Sequence, residues 1–454
     1  MRSEECGVRS EKCGVRSERS GGMRHDVVWT FTIQILIMAC SFAINKLLAS
    51  RLSIDDFGQY NVIKRSVQVL SFLMLAGVGI ALPRYIPLYR NGTPPRRILP
   101  LLKASLTYIL GVSFVVFAVC LLFSSQMQEI VIGTDTGDGL YFVALAYAFI
   151  LAMAQYVFAY YRGLSHFKWF NGSQLAMQLL IIVPLVLLPV LTVNNVFSSW
   201  LLITTLLVAF LFAKEIRDYC GKWKEESGKK IALRQKVISS LFPLSSFLSI
   251  PDLRTIVKYS SGRLVADFFQ FSLAAFPLIY ISNVQGLQPT AYFSVGITFV
   301  TMITPLFSFM GIILLPYVSK AIARHEMSAA NRLIHRLLLL YVVASLFFIA
   351  ALYIFTEFLT TLLFASDYVV TTDLTRIMIL AILPQAAYML YRNTIDAVSV
   401  IPYNAIILSV CLLAMIVSFL LSTTLTQFAW AYLAVSILQG LLSIITWQVV
   451  KKRS

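Results

Sequence analysis

The chain has 454 residues, 58% of them hydrophobic and only 13% charged, with a net charge of +16 from 37 Lys and Arg against 21 Asp and Glu. A soluble domain carries about 25% charged residues. The composition therefore excludes a soluble polar shell, and the apolar residues instead gather in runs of about 17–25, enough to cross about 30 Å of hydrocarbon as a helix. In a soluble protein the basic balance would point to nucleic acid; in a polytopic membrane protein the Lys and Arg bias of cytoplasmic loops accounts for it, and nucleic acid drops out as a partner.

Residues 1–22 hold a seven-residue repeat, RSEECGV, RSEKCGV and RSERSGG, with no apolar run and so no signal peptide. Met23 is read as the biological start and the repeat as translated upstream DNA; the alternative is a genuine tail. Twelve helical spans are then predicted: 27–49, 60–82, 101–123, 140–160, 174–193, 197–213, 259–281, 291–315, 337–355, 374–391, 403–421 and 428–450. The expected fold is an all-α polytopic membrane protein of about 12 transmembrane helices in two six-helix lobes, 23–213 and 259–454, joined by a linker, 214–258.

Alternate linkers differ in charge. One set, counted with the C-terminal tail, holds 25 basic residues, among them Arg84, Arg90, Arg162, Arg392 and ten in the central linker; the opposite set holds one, Arg51, and carries Asp55, Asp56, Glu129, Asp135, Asp138, Glu357, Asp367 and Asp373. That split predicts both termini in the cytoplasm. The sequons at Asn91 and Asn171 then fall on the cytoplasmic side and are expected to carry no glycan. Within the central linker, Ile231–Lys258 mixes apolar and basic residues and is predicted to lie on the membrane surface. The six Cys and four His have no metal-ligand spacing, and neither a metal nor another cofactor is expected.

The two halves echo one another. Tyr60 and Leu82-Pro83 bracket span 2 as Tyr292 and Leu315-Pro316 bracket span 8, about 232 residues later and in the same direction. This predicts a parallel repeat with a pseudo-twofold axis along the membrane normal, an arrangement suited to alternating access.

Three segments carry a family resemblance. Lys46-Leu-Leu-Ala-Ser-Arg-Leu-Ser-Ile-Asp-Asp-Phe-Gly-Gln-Tyr60, Gly77-Val-Gly79 with Leu82-Pro83-Arg84-Tyr85, and Tyr161-Arg162-Gly163-Leu164 with Phe167-Lys168 resemble Wzx-type polysaccharide flippases of the multidrug/oligosaccharidyl-lipid/polysaccharide exporter superfamily. These motifs are short and lie in residues 45–170; the second half matches in layout. The resemblance implies export of a polyprenyl-pyrophosphate-linked oligosaccharide (an O-antigen, capsule or exopolysaccharide unit) to the outer leaflet of the cell membrane. A proton or sodium gradient, membrane lipids and other polysaccharide assembly proteins are the implied partners.

Ionisable residues inside spans are costly unless they face water or a partner, so they point to the path. Lys46, Lys64, Arg65, Arg263 and Arg376 are the cations, and Asp267 is the comparable acid. Lys64 and Arg65 are adjacent and diverge by about 100° on a helix; the cavity reading makes them a patch for pyrophosphate or an acidic sugar. The alternative is that both lie among the headgroups. Lys46 joins that patch or snorkels. Arg263 and Asp267, four apart, are either a self-neutralised pair or an anion receptor beside a coupling-ion site. Arg376 is expected to pair locally with Asp373. Arg84, at a span end, takes a substrate-entry role only through the resemblance. Pro184, Pro189, Pro277, Pro305 and Pro384 are expected to kink their spans.

Two other functions compete. A cation-coupled multidrug antiporter of the same superfamily should place acids in its cavity, yet span 1 has none after Asp26. A membrane polymerase or ligase should have a large outer loop with catalytic residues, and none is present; the chain is not expected to be an enzyme.

Overall fold

The computed structural model describes residues 29–91, 98–132, 138–227, 250–323, 327–399 and 402–453. The N-terminal repeat, Met23 and most of the surface-lying linker stretch lie outside the described residues. The first lobe comprises α1 (Trp29–Arg51), α2 (Ile54–Leu75), α3 (Val78–Asn91), α4 (Ile98–Leu122), α5 (Ser124–Ile132), α6 (Asp138–Gly163), α7 (Phe167–Leu187) and α8 (Val193–Ser227). The second comprises α9 (Ile250–Val284), α10 (Leu287–Ala323), α11 (Met327–Ile354), α12 (Thr356–Leu363), α13 (Thr372–Ile379), α14 (Ile382–Val398), α15 (Tyr403–Leu420) and α16 (Leu425–Arg453). Among the described residues, ten stretches are long and apolar enough to span a membrane, and the bent pair α13–α14, at 43°, makes an eleventh. The 37-residue α10 stands in the place of the twelfth. The chain is thus all-helical and built as two lobes.

Local chemistry sets the helix ends. Ser53 caps α2 by accepting from the Asp56 amide at 3.1 Å, and Asp55 and Asp56 sit in the first turn, where negative charge suits the helix dipole. At the far end Ala76 (φ 51°) and Gly77 (φ 76°) turn left-handed, so the continuous apolar run of α2 and α3 contains a break that hydropathy does not reveal. α7 ends just after Pro184. Its last carbonyls are capped by Arg51, which donates to Leu185 O at 2.5 Å, Leu188 O at 2.7 Å and Pro189 O at 3.1 Å. The lone basic residue of the acidic linkers is therefore a helix cap.

Several predicted boundaries are corrected. α8 runs to Ser227 and α9 begins at Ile250, both inside the expected 214–258 linker. At 1.5 Å per residue these 35-residue helices reach about 50 Å, well past the hydrocarbon. Hydropathy marks where the membrane ends, not where the helix does. The stretches read as linkers at 124–139 and 356–373 contain α5 and α12, and Arg84, Arg90 and Arg392 are helical rather than looped. Asn171 is fully buried and donates to Thr30 Oγ1 at 2.8 Å, so its sequon is closed to glycan.

The repeat is visible in the helices. Ile54 opens α2 and Leu287 opens α10, 233 residues apart. Gly58 and Ala291 keep the same separation, and here the helices cross. A Cβ at Gly58 would run into the Leu287 carbonyl and lie 3.3 Å from the Ala291 nitrogen. Around this crossing Phe57 meets Phe364 at 6.1 Å and Tyr368 at 5.5 Å between ring centroids, and Lys46 Nζ donates to Thr361 O at 3.0 Å. The lobes are therefore sealed at the end carrying the acidic linkers. Farther along α2, Phe72 stacks with Phe271 of α9 at 4.7 Å.

Candidate functional site

Beyond the sealed end, α2 presents Asn61, Lys64, Arg65 and Gln68 to a cavity of about 300 Å³ between the lobes, closed by α1 and by Ser294, Thr298 and Thr301 of α10. Lys64, Arg65, Gln68 and Ser41 also line a second cavity of about 590 Å³ that runs into the first lobe. Its wall is aromatic. Tyr60, Tyr147, Phe197 and Trp200 form a cluster with centroid separations of 5.6–6.2 Å, and Gln155 and Gln178 supply amides. Trp200 is held by its indole N–H on Ile181 O at 3.1 Å.

The two cations stand where these cavities meet. Lys64 Nζ lies 5.4 Å from the Tyr60 ring centroid, within range of a cation–π contact. Arg65 reaches Gln68 Oε1 at 3.4 Å. Neither forms an ion pair with a described carboxylate. Two cations with no described carboxylate paired to them suit an anion that binds and leaves.

A third cavity, of about 320 Å³, lies within the second lobe and adjoins the central one at Thr301. Its lining mixes apolar residues such as Leu273, Met389, Met415 and Val435 with the amides of Gln270, Gln385 and Gln439 and the phenols of Tyr388 and Tyr432, and no charged side chain lines it among the described residues. Among the described residues, neither Asp nor Glu lines any of the three cavities.

The other predicted site residues lie elsewhere. Lys46 is taken up in the seal, and Arg84 is exposed on α3 with its guanidinium 6.0 Å from the Tyr85 ring centroid; neither lines these cavities. The Arg263 side chain lies outside the described residues. Asp267 pairs with Arg392 Nη2 at 2.8 Å, a residue 125 positions away on α14, and this contact ties α9 to α14. Arg376 pairs with Asp373 at 3.4 Å, as its spacing indicates. Arg162 donates to Gly79 O at 2.6 Å and joins α6 to α3. Among the described residues no group of three or more His, Cys, Asp or Glu is placed to hold a metal.

Sequence reasoning passed over the glutamines. Gln34, Gln155, Gln178, Gln270, Gln385 and Gln439 sit in apolar spans and line the cavities. An amide in hydrocarbon needs a partner, so their presence in such runs was a usable signal.

This two-lobe arrangement is the fold of membrane transporters of the MOP superfamily. An inward-facing multidrug resistance MATE transporter of that superfamily superposes with a TM-score of 0.64 at 11% identity, covering 94% of this chain and 99% of that one. The lipid II flippase MurJ in an inward closed conformation gives 0.64 at 13% identity, over 93% and 87%. A MOP superfamily transporter from Pyrococcus furiosus, described by the reversed polarity of its binding pocket, gives 0.57 at 13% identity, over 94% of both chains. The sequence itself matches no family profile and no curated protein.

Proposed function

We propose that the chain is a flippase that carries a polyprenyl-pyrophosphate-linked oligosaccharide from the cytoplasmic to the outer leaflet by alternating access. The reading is carried by one observation: Lys64 and Arg65 project into the cavities without an acid beside them. Arg offers paired donors to phosphate, and Lys adds a compact charge. The protein sits in the cell membrane with both termini in the cytoplasm, which makes the acidic-linker end the outer one. The seal around Gly58 then closes the outer side and leaves the inward-facing state. The multidrug antiporter alternative is disfavoured by the same observation, because an organic cation would meet two positive charges and no carboxylate.

Proteoliposomes loaded with a fluorescent polyprenyl-pyrophosphate oligosaccharide test the proposal. Protein-dependent movement between leaflets, lost in Arg65→Ala, is the expected result. Absence of movement together with proton-driven uptake of an organic cation such as ethidium would replace it with the antiporter.

A further inference from the structure

Among the described residues, the cavity of the second lobe has no charge to offer a phosphate and no carboxylate to offer a cation. Its lining alternates apolar side chains, Leu273, Met389, Met415 and Val435, with neutral hydrogen-bonding groups, as the apolar faces and hydroxyl edges of a sugar ring require. Gln385 Nε2 donates to Tyr432 Oη at 3.0 Å and lies 3.3 Å from Ser436 Oγ, while Thr304 Oγ1 lies 3.5 Å from Gln385 Oε1. This network fixes one amide and leaves another open. Gln270 Oε1 is buried and has no hydrogen-bond partner. A buried acceptor left unsatisfied costs about 1–3 kcal/mol, and a hydroxyl donor entering the cavity would offset that cost. Gln439 lines the same wall and is 4% exposed.

From this we infer that the second-lobe cavity, through Gln270, Gln385, Gln439 and Tyr432, binds neutral hydroxyl-bearing sugar rings of the transported lipid. The inference rests on the flippase reading and adds where the carbohydrate goes. Amides offer a donor and an acceptor together, which is what a ring of hydroxyls presents in return. The volume, about 320 Å³, lies at the small end of ligand pockets, which run from about 300 to 1,000 Å³. Because this cavity and the central one meet at Thr301, a ligand can rest its pyrophosphate on Lys64 and Arg65 and extend its sugars past α10. A site built around hydrogen bonds rejects ligands that lack the matching groups, so it selects by glycan as well as by charge.

The test uses the full chain in nanodiscs and two probes, a bare polyprenyl pyrophosphate and the same lipid carrying a neutral hexose trisaccharide. Wild type should bind the trisaccharide lipid roughly tenfold or more tightly than the bare lipid. Gln270→Leu and Gln439→Leu should each remove about five- to tenfold of that advantage and leave the bare lipid within about twofold. Arg65→Ala should weaken both probes. Melting temperatures near wild type confirm that the variants are folded, and either glutamine variant alone suffices. Equal wild-type affinity for the two probes, or glutamine variants that leave the trisaccharide lipid unchanged or weaken both lipids alike, would overturn the inference while leaving the flippase reading intact. Failure of wild type to bind either lipid would remove the reading beneath it.

Discussion

The two lobes have the same helical plan and handle charge in opposite ways. In the first, Lys64 and Arg65 face the cavities with a ring and an amide for company and no acid. In the second, the cavity is neutral among the described residues, and Arg392 of the same lobe is paired with Asp267 at 2.8 Å. The repeat sharpens the contrast. With the 233-residue separation, the counterparts of Lys64 and Arg65 on α10 are Ile297 and Thr298. A charge whose partner is built in serves the architecture. A charge that lacks one in a low-dielectric cavity is costly unless a ligand supplies the partner.

The sharpest way to break this comparison is to give the first lobe its own acid. Arg65→Glu places a carboxylate beside Lys64 and cancels the unpaired charge. Because charge-assisted hydrogen bonds contribute about 1.5–3 kcal/mol each, losing the cation and adding repulsion should lower lipid movement about 100-fold or more. Leaflet movement in proteoliposomes reads the effect. Retention of more than about half the rate would show that these cations do not meet the substrate.

A second variant separates the cavity from its seal. Gly58 has no room for a side chain, since a Cβ there meets the Leu287 carbonyl. Gly58→Val should wedge α2 from α10, open the end that carries the acidic linkers and slow lipid movement about tenfold, because overpacking a tight contact costs about 1–3 kcal/mol. A single cysteine at Phe57 should become more reactive to an impermeant thiol reagent in the Gly58→Val background. Unchanged reactivity would mean that the crossing is not the gate.

These variants also show what the sequence made legible. The helices were readable because apolar runs of membrane length are hard to mistake, and Lys64 and Arg65 stood out as charges within one such run. The break at Ala76–Gly77 was not readable, because the apolar character continues through it. Nor was the contact of Asp267 with Arg392, because helix spacing reaches only three or four residues along the chain and this partner lies 125 residues on. Gln270 and Gln385 were missed for a different reason. Hydropathy averages dilute single amides among leucines, and only the packing shows which ones face a cavity.

The second lobe's pair supplies a test on stability. Asp267 and Arg392 keep 15% and 26% of their side-chain surface exposed, so losing the carboxylate removes a counter-charge from beside a mostly buried guanidinium. Asp267→Asn should cost about 2–4 kcal/mol, and Asp267→Leu combined with Arg392→Leu should recover most of it. Thermal unfolding in detergent measures both. If lipid movement falls in the double variant while the melting temperature recovers, the pair takes part in transport and the contrast between the lobes fails.

The smallest effect is expected at Arg51, the basic residue at odds with the charge of its linkers. Its guanidinium spans three carbonyls at the end of α7, a helix that lends Met177, Gln178 and Ile181 to the first-lobe cavity. Arg51→Ala frays that end and should cost about 1–2 kcal/mol, a drop of a few degrees in melting temperature. Lipid movement should fall less than about twofold, since Arg51 does not face the cavities and the charge at Lys64 and Arg65 is untouched. Arg51→Lys should recover only part of the loss, because one ammonium cannot reproduce the fork that reaches three acceptors. A large loss of transport at unchanged melting temperature would place Arg51 on the substrate path. The unpaired charge would then extend to the outer mouth rather than stop at the cavity.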